Sequence, residues 1–205
     1  MKTITKVCVC AKNKSRSNLY LNNDFYCTMD NLLVVKYGLK EGIEIEEAEL
    51  ERLQEENEFS TALDSALNYI SHYKKTKKQL IEYLMKKGYV YSVAFKVVDK
   101  LSSYGYVDDG DFARSFATQN TKNKGKLLIK MQLRAKGVDE NTAEQAVNEL
   151  EDEAPFAVEL AKKYMRSKEI TRENLAKCYR YILSKGFSYE SAQKAVNAIK
   201  EEDDY

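Results

Sequence analysis

Several residue types are scarce in this chain, and each scarcity excludes a class of protein. Its 205 residues include one histidine, one proline and no tryptophan. The single histidine, His72, leaves most histidine-based catalytic sites without a second partner. Four cysteines in a chain of this size do not form a disulfide scaffold. No apolar stretch approaches the roughly 18 residues of a membrane span and no signal peptide is recognisable, so we expect a soluble cytoplasmic protein without a membrane partner.

The cysteines are also poorly placed for a metal site. Cys8 and Cys10 fall on one side of a predicted strand, and Cys27 falls on a neighbouring predicted strand. A structural zinc requires four ligands, and neither the lone histidine nor the distant Cys178 completes this set. We therefore expect the thiols to act as small buried apolar groups and the chain to hold no metal.

Two further motifs resemble functional loops but lack their defining residues. Residues 108–111, Asp-Asp-Gly-Asp, lack the glycine position and the terminal glutamate of an EF-hand, and they predict the N-cap and first turn of a helix. The pair Gly125-Lys126 is not a Walker A loop, because Asn120 stands where its first glycine belongs and Leu127 replaces its hydroxyl residue. Since no two residues suggest an acid and a base, we expect no enzymatic activity and no cofactor.

What the sequence does contain is a repeat. The pair Lys-Gly occurs at Lys87-Gly88, Lys136-Gly137 and Lys185-Gly186, with a spacing of 49 residues both times. Small or aliphatic residues recur at fixed offsets from each glycine, namely Leu84, Leu133 and Ile182 before it, and Ala94, Ala143, Ala192, Val98, Val147, Val196, Leu101, Leu150 and Ile199 after it. A period of this length is typical of stacked supersecondary units. Such arrays bind other macromolecules along long surfaces more often than they form reaction pockets.

Each set of equivalent positions in the three repeats forms a column, and the columns follow one another at helical intervals. Offsets of 6, 10 and 13 residues after the glycine correspond to i, i+4 and i+7, which is one apolar stripe of an amphipathic helix. A second helix is predicted to end at the glycine, in the left-handed C′ position, and to begin about twelve residues earlier. The residues at that point are favoured N-cap types, namely Thr76, Gly125 and Asn174. A further helix is predicted upstream, over residues 61–72, 109–118 and 155–165, so each repeat is a three-helix unit.

The predicted fold is mostly α, with three tandem three-helix repeats in an elongated curved array and a small β-rich domain at the N-terminus. β-Branched and aromatic residues flank the turn signal Asn22-Asn23-Asp24, which predicts a hairpin. The predicted segments are the β-rich domain over residues 1–45, an acidic connecting helix over residues 46–58, and repeats over residues 59–107, 108–152 and 153–205, the last with an acidic tail.

Charge is distributed in step with the repeat. The formal net charge of +1 argues against a general nucleic-acid binder. Basic residues nevertheless concentrate at the second helix of every repeat, and the candidate contact residues there are Lys77, Lys78, Lys122, Lys124, Lys126, Lys130, Arg134, Arg172, Lys177 and Arg180. Lys122, Lys126, Lys130 and Arg134 follow at four-residue intervals, which predicts a single helix with a cationic ridge facing away from Ile129 and Leu133. Such a ridge suits a polyanionic groove, either DNA or an acidic protein surface.

Several motifs resemble those of the RecX family, in its Gram-positive form with an N-terminal extension. The matching stretches are residues 101–113, with Gly-Tyr-Val-Asp-Asp followed by Phe-Ala, then 125–129, 133–138 and 183–187, and at the N-terminus residues 4–7, 18–21 and 37–42. The resemblance covers nearly the whole chain. It implies tandem three-helix repeats and a non-enzymatic modulator of the RecA recombinase. Such a modulator lies in the groove of the nucleoprotein filament and restrains filament growth, ATP hydrolysis and strand exchange in recombination, repair and the SOS response.

Three functional hypotheses follow. The leading one is a monomeric regulator of the RecA–DNA filament, with Lys126, Lys130 and Arg134 as electrostatic contacts. Reversing Lys130 and Arg134 to glutamate should then abolish inhibition without changing the thermal unfolding midpoint. The second is a sequence-independent DNA-binding module, for which single- or double-stranded DNA is itself the partner. The third is a scaffold for another protein, which predicts no effect on the recombinase.

Overall fold

The structure is a computed structural model that describes the backbone of residues 1–203 and the side chains of residues 1–201. Of the predicted acidic tail, residues 204 and 205 and the side chains from residue 202 onward lie outside the described residues. The chain divides into two compact units. The first comprises Met1–Tyr73 and Leu80–Tyr104, and the second comprises Lys74–Gln79 and the residues from Gly105 onward.

The N-terminal region forms an antiparallel sheet. Its strands are β1 (Lys2–Val9), β2 (Arg16–Leu21), β3 (Asp24–Asp30) and β4 (Glu44–Ile45), in the order β3-β2-β1-β4. The predicted hairpin turn is confirmed, because Asn22 and Asn23 both have positive φ, 49° and 74°, as a type I′ turn requires. Strand β4 is missing from the prediction, since two residues are too few to show alternation.

A short and a long helix pack on this sheet. Helix α1 (Asn31–Lys36) follows β3, and α2 (Glu47–Ile70) runs for 24 residues. The predicted connecting helix and the first helix of the first repeat thus form one uninterrupted helix, because no glycine, proline or cap separates them. The N-terminal part of α2 buries Leu50 and Leu53 in the core of the sheet, and its later turns bury Ala62.

The remaining helices follow the predicted period. They are α3 (Lys77–Lys86), α4 (Tyr91–Ser103), α5 (Asp109–Asn120), α6 (Lys126–Ala135), α7 (Glu140–Asn148), α8 (Ala154–Met165), α9 (Arg172–Ser184) and α10 (Tyr189–Asp203). The residues of the column before the glycine, Leu84, Leu133 and Ile182, are each 0% exposed. Gly88, Gly137 and Gly186 have φ values of 98°, 93° and 83°, so the predicted left-handed helix ends are confirmed.

Two local predictions are wrong. The N-cap of α9 is Thr171, whose Oγ1 accepts a hydrogen bond of 3.2 Å from the backbone N–H of Asn174. Helix α9 therefore begins earlier than its counterparts, because the extended Thr171 precedes the predicted cap.

The second wrong prediction is that the four cysteine thiols are buried, since only Cys178 is buried. Cys10 lies beyond the end of β1, where the backbone N–H groups of Asn13 and Lys12 lower the pKa of its thiol.

Candidate partner-binding surface

Lys122, the first residue of the predicted cationic ridge, lies in a turn before α6 and not on the helix. Helix α6 carries the other three residues. Gly125 is its N-cap, and Ile129 and Leu133 are 0% exposed against the core of the second repeat. The four-residue spacing places Lys126, Lys130 and Arg134 on another face of the same helix. Of these, the side chain of Lys130 is only 24% exposed and that of Arg134 is 54% exposed.

The ridge is paired with carboxylates of the next helix. Lys130 Nζ lies 3.5 Å from Glu140 Oε1 and 3.2 Å from Glu144 Oε2, and Arg134 Nη1 lies 3.3 Å from Glu140 Oε2. Such partly exposed pairs contribute about 0–1 kcal/mol each. Reversing Lys130 and Arg134 to glutamate would oppose carboxylates to carboxylates. We therefore expect that double reversal to lower the unfolding midpoint as well, which differs from the expectation based on sequence.

Two lysines near the start of α6 are bound to oxygens of the same repeat. Lys126 Nζ donates to the carbonyl of Leu150 at 2.8 Å. Lys124 Nζ donates to Asn120 Oδ1 at 2.7 Å and to Gln132 Oε1 at 2.8 Å. Both side chains are half-buried. They hold the loop before α6, and they must leave these oxygens before they can contact an anion.

The other predicted contact residues differ in their surroundings. Lys122 and Lys77 are exposed, whereas the side chain of Lys78 covers Gly137. On α9, Lys177 Nζ lies 2.7 Å from Glu173 Oε1. The last two, Arg172 and Arg180, are exposed and line a groove beside α10. Whether these ten residues contact a partner remains a proposal.

A contact that the sequence analysis missed fixes the starts of α3 and α6. Thr76 Oγ1 donates to the carbonyl of Lys136 at 2.7 Å, and the backbone N–H of Gly125 donates to the carbonyl of Lys185 at 2.9 Å. In both cases the N-cap residue of the second helix in one repeat donates a hydrogen bond to the Lys-Gly turn of the following repeat. The residues that meet are 60 positions apart both times, which the period of 49 residues requires of any two equivalent pairs, so the sequence holds no separate signal for this contact.

Carboxylates of the following repeat also accept hydrogen bonds at the starts of α3 and α6. The backbone N–H of Lys77 donates to Asp109 Oδ1 at 2.9 Å, and that of Lys126 donates to Glu153 Oε2 at 2.8 Å. Glu153 Oε1 also accepts from the backbone N–H of Ser188 at 2.8 Å. Burial raises the pKa of the Asp109 carboxyl, although the Lys77 N–H acts in the opposite direction. Anionic groups at helix N-termini are favourable, so these contacts hold each helix start in place.

Helix α6 also exposes apolar side chains beside its lysines. Leu127 is 63% exposed, Met131 is 60% exposed, and Tyr189 at the start of α10 is 75% exposed. Leu127 and Tyr189 line a groove of about 460 Å³ together with Leu183 and Phe187. Aligning the repeats could have found this surface, because the counterparts of Leu127 are Lys78 and Ala176, and those of Met131 are Glu82 and Arg180. Only the second repeat therefore carries large apolar residues at both positions.

No helix of the described residues is long and apolar enough to cross a membrane. In the same part of the chain, no group of three or more histidine, cysteine, aspartate or glutamate residues is arranged to hold a metal ion.

Comparisons with known proteins identify the family. Three family models match: the regulatory protein RecX N-terminal domain over residues 2–46, the first RecX three-helix domain over residues 62–101 and the second over residues 108–147. Together they cover more than half of the chain. This chain belongs to the RecX family of regulatory proteins. The match to the N-terminal domain ends just before α2, and the match to the first three-helix domain begins within it, while Leu50 and Leu53 of the same helix pack in the core of the sheet.

Individual relatives agree along the whole length. The regulatory protein RecX of Clostridioides difficile (strain 630) is 33% identical over 100% of this chain and 99% of its own length. That of Clostridium tetani (strain Massachusetts / E88) is 30% identical over 96% of this chain and 94% of its own. A crystal structure of regulatory protein RecX matches 96% of this chain and 100% of its own with a TM-score of 0.77 and 22% identity, which shows the fold. The crystal structure of RecX from Lactobacillus salivarius matches 70% of this chain with a TM-score of 0.64 and 27% identity.

Proposed function

We propose that this chain is a non-enzymatic, cytoplasmic regulator that acts as a monomer on the filament of the RecA recombinase and DNA. Its binding inhibits filament growth, ATP hydrolysis and strand exchange. The observation that carries this proposal is the RecX family membership over nearly the full chain, together with an α6 surface that combines cations and exposed apolar side chains. Exposed apolar patches with a polar rim are typical of protein interfaces.

The composition of the α6 surface favours an acidic protein surface over naked DNA as its direct contact. Leu127 and Met131 gain from burial against protein at about 25 cal/mol per Å² of apolar area, whereas phosphates offer them nothing. Lys130 and Arg134 flank these residues, and their carboxylate partners on α7 are half or more exposed. Exchanging an exposed ion pair for another carboxylate requires little free energy. Partner carboxylates therefore replace Glu140 and Glu144 on docking.

The proposal is tested by titrating the purified chain into a RecA–single-stranded DNA ATPase reaction. The rate of ATP hydrolysis should fall as the chain is added, and the chain should sediment with the filament. An unchanged rate at a stoichiometric excess of the chain would overturn the proposal, and it would favour a scaffold for another protein.

Salt dependence separates this function from sequence-independent DNA binding. A chain held on DNA by several phosphate contacts loses orders of magnitude in affinity between roughly 50 and 200 mM salt, with or without the recombinase. We expect instead that fluorescence anisotropy shows weak binding to a bare oligonucleotide at both salt concentrations. Binding to the RecA-coated oligonucleotide should be much tighter. Equal affinity for the two would favour the DNA-binding module.

A further inference from the structure

A groove of about 570 Å³ lies between α9 and α10 in the third repeat. Its apolar lining comes from Leu175, Ala176 and Val196, and of these Leu175 and Val196 also belong to the core of the repeat. Two basic residues that line it, Arg180 and Lys200, are exposed. The groove therefore joins an aliphatic floor to a cationic edge.

At the equivalent positions of the second repeat, an ion pair bridges the two helices. Shifted by the period of 49 residues, Tyr179 corresponds to Lys130 and Gln193 corresponds to Glu144. In the second repeat Lys130 Nζ and Glu144 Oε2 lie 3.2 Å apart and bridge α6 to α7. Tyr179 and Gln193 carry no charge and form no such bridge, so the third repeat lacks this link between its second and third helices.

The first repeat shows that the helix packing does not require either arrangement. Its residues at these two positions are Ile81 and Phe95, and Phe95 stacks on Tyr91 with ring centroids 6.1 Å apart. The two positions thus hold an apolar pair, an ion pair and an uncharged polar pair in three repeats that share one fold, so the fold itself does not require Tyr179 and Gln193 there.

The cations around this groove form no salt bridge with a carboxylate of the described residues. Among the described residues, neither Arg172 nor Lys200 forms a salt bridge, and the only hydrogen bond of the Arg180 guanidinium is from Nε to the carbonyl of Ala176 at 3.3 Å. The nearby Glu173 carboxylate is bound to Lys177, and the charge of Arg180 also helps to lower the pKa of Glu173. Three cations at one groove, none of them in a salt bridge with a described side chain, favour an anionic occupant.

The floor of the groove distinguishes between two anionic occupants. A single-stranded nucleic acid needs aromatic ring faces on which its bases stack. Among the described residues that line the groove, Tyr179 alone is aromatic, and it packs against the buried core of the repeat. An aliphatic floor instead accepts an aliphatic or aromatic side chain from a peptide, while the rim binds carboxylates on either side.

We propose that the groove formed by Arg172, Leu175, Tyr179, Arg180, Val196 and Lys200 binds an acidic segment of a protein partner, with one apolar side chain of that segment inserted between α9 and α10. Under the proposed function, on which this inference rests, the partner is the recombinase subunit. The groove then supplies a contact separate from the α6 surface.

The test places a photo-reactive residue in the groove of the full chain. Gln193, which lines the groove and is exposed, is replaced by p-benzoylphenylalanine, and a control chain carries the same residue at exposed Lys163 on α8. Each chain is sedimented with RecA filaments on single-stranded DNA and then irradiated. Mass spectrometry should find the residue-193 probe crosslinked to a recombinase peptide rich in aspartate and glutamate.

The other outcomes overturn the inference in distinguishable ways. If the chain inhibits and sediments with the filament but its residue-193 probe crosslinks to DNA, or to nothing, the groove does not bind an acidic protein segment. A crosslink equal to that of the residue-163 control would be non-specific and would also overturn it. If the unmodified chain does not sediment with the filament at all, the proposed function fails, and the occupant named here fails with it.

Charge reversal gives a second, independent measurement. The variant Arg172→Glu/Arg180→Glu should lose at least tenfold in affinity for the filament, because both residues are exposed and would repel the acidic segment. The matched control Lys163→Glu changes an exposed residue of α8 that pairs with Glu159 and should lose less than twofold. Circular dichroism verifies that both variants are folded. Unchanged affinity in the double variant, or equal losses in both chains, contradicts the inference.

Discussion

The hydroxyl of Thr76 and the carbonyl of Lys136 form a 2.7 Å hydrogen bond that fixes the first turn of α3 on the turn after α6. Thr76 is 0% exposed, and its Oγ1 also accepts from the backbone N–H of Gln79 at 3.1 Å. One hydroxyl thus caps its own helix and satisfies a carbonyl at the end of another. The N-cap position of this repeat therefore contributes to packing between elements as well as to helix formation.

Removing this hydroxyl should destabilise the chain. Thr76→Ala leaves the N–H of Gln79 and the carbonyl of Lys136 without their partner, and the expected loss is about 2 kcal/mol in the free energy of unfolding. Thr76→Ser is the matched control, since it keeps both hydrogen bonds and removes one methyl group at about 0.8 kcal/mol. Urea denaturation followed by far-ultraviolet circular dichroism measures both. Equal losses in the two variants would show that the hydroxyl contributes nothing.

A second prediction concerns Gly125, the N-cap of α6. Its φ of −74° suits any residue, so backbone strain does not require glycine there. A Cβ at this position would instead lie 2.2 Å from the carbonyl oxygen of Gly186 and 2.2 Å from the backbone nitrogen of Phe187. Because backbone atoms cannot rotate away, Gly125→Ala should lower the free energy of unfolding by about 3 kcal/mol.

Gly110 provides the control for this substitution. A Cβ there would lie 3.2 Å from Asp108 Oδ1, a side-chain atom, and Gly110 lies within α5. Gly110→Ala should be neutral or stabilise the chain by up to about 1 kcal/mol, because alanine is the better helix former. If Gly125→Ala is as stable as Gly110→Ala, the close approach of the second and third repeats at Gly125 is wrong.

The Glu153 carboxylate should stabilise the contact between the start of α6 and the third repeat. It accepts from the backbone N–H groups of Lys126 and Ser188, at 2.8 Å each, at the starts of α6 and α10. Glu153→Gln retains one acceptor oxygen and loses the negative charge, so we expect a loss of about 1–2 kcal/mol. Glu149→Gln, at an exposed position of the same repeat, should change the free energy of unfolding by less than about 0.5 kcal/mol. Thermal denaturation of the two variants decides the comparison.

The sequence predicts those features that local periodicity encodes. The buried columns, the left-handed glycines and the N-caps Thr76 and Asp108 each depend on residues within a few turns of one helix. They are present as expected, except that Leu150 of the last column is only half-buried. The cap of α9 failed because Thr171 offers the same hydroxyl chemistry as a later predicted position. Two competing caps in one segment cannot be ranked by residue type alone.

The neutralisation of the ridge could not be read from the sequence. Whether Lys130 meets Glu144 depends on how α7 is rotated against α6, and residue spacing within either helix does not determine that rotation. The same limit applies to exposed Leu127, since a helical stripe rule assigns an apolar residue to the core. Comparing equivalent positions across the three repeats recovers part of this information, because a residue present in one repeat only is not required by the shared fold.

The apolar face of α6 predicts an effect on function without an effect on folding. Leu127→Ser/Met131→Ser changes two side chains that are 63% and 60% exposed, so the free energy of unfolding should shift by less than about 1 kcal/mol. If this face docks on the recombinase, half-maximal inhibition of the RecA ATPase should require at least fivefold more protein. The control Leu32→Ser/Val35→Ser removes apolar residues of α1 that are 78% and 79% exposed. Inhibition that is unchanged in the α6 variant, or reduced equally in both, would place the contact elsewhere.

Removing one acidic residue should strengthen inhibition. Glu144 holds Lys130 at 3.2 Å, so it competes with any partner carboxylate for the same ammonium group. Glu144→Gln removes this competitor, and half-maximal inhibition should then require up to about fivefold less protein, equivalent to the roughly 1 kcal/mol of an exposed pair. Lys130→Gln should act in the opposite direction. Glu149→Gln removes the same charge from an exposed site that does not contact Lys130, and it should have a smaller effect. If Glu144→Gln and Glu149→Gln alter inhibition equally, the effect is one of overall charge, and Lys130 is not a contact residue.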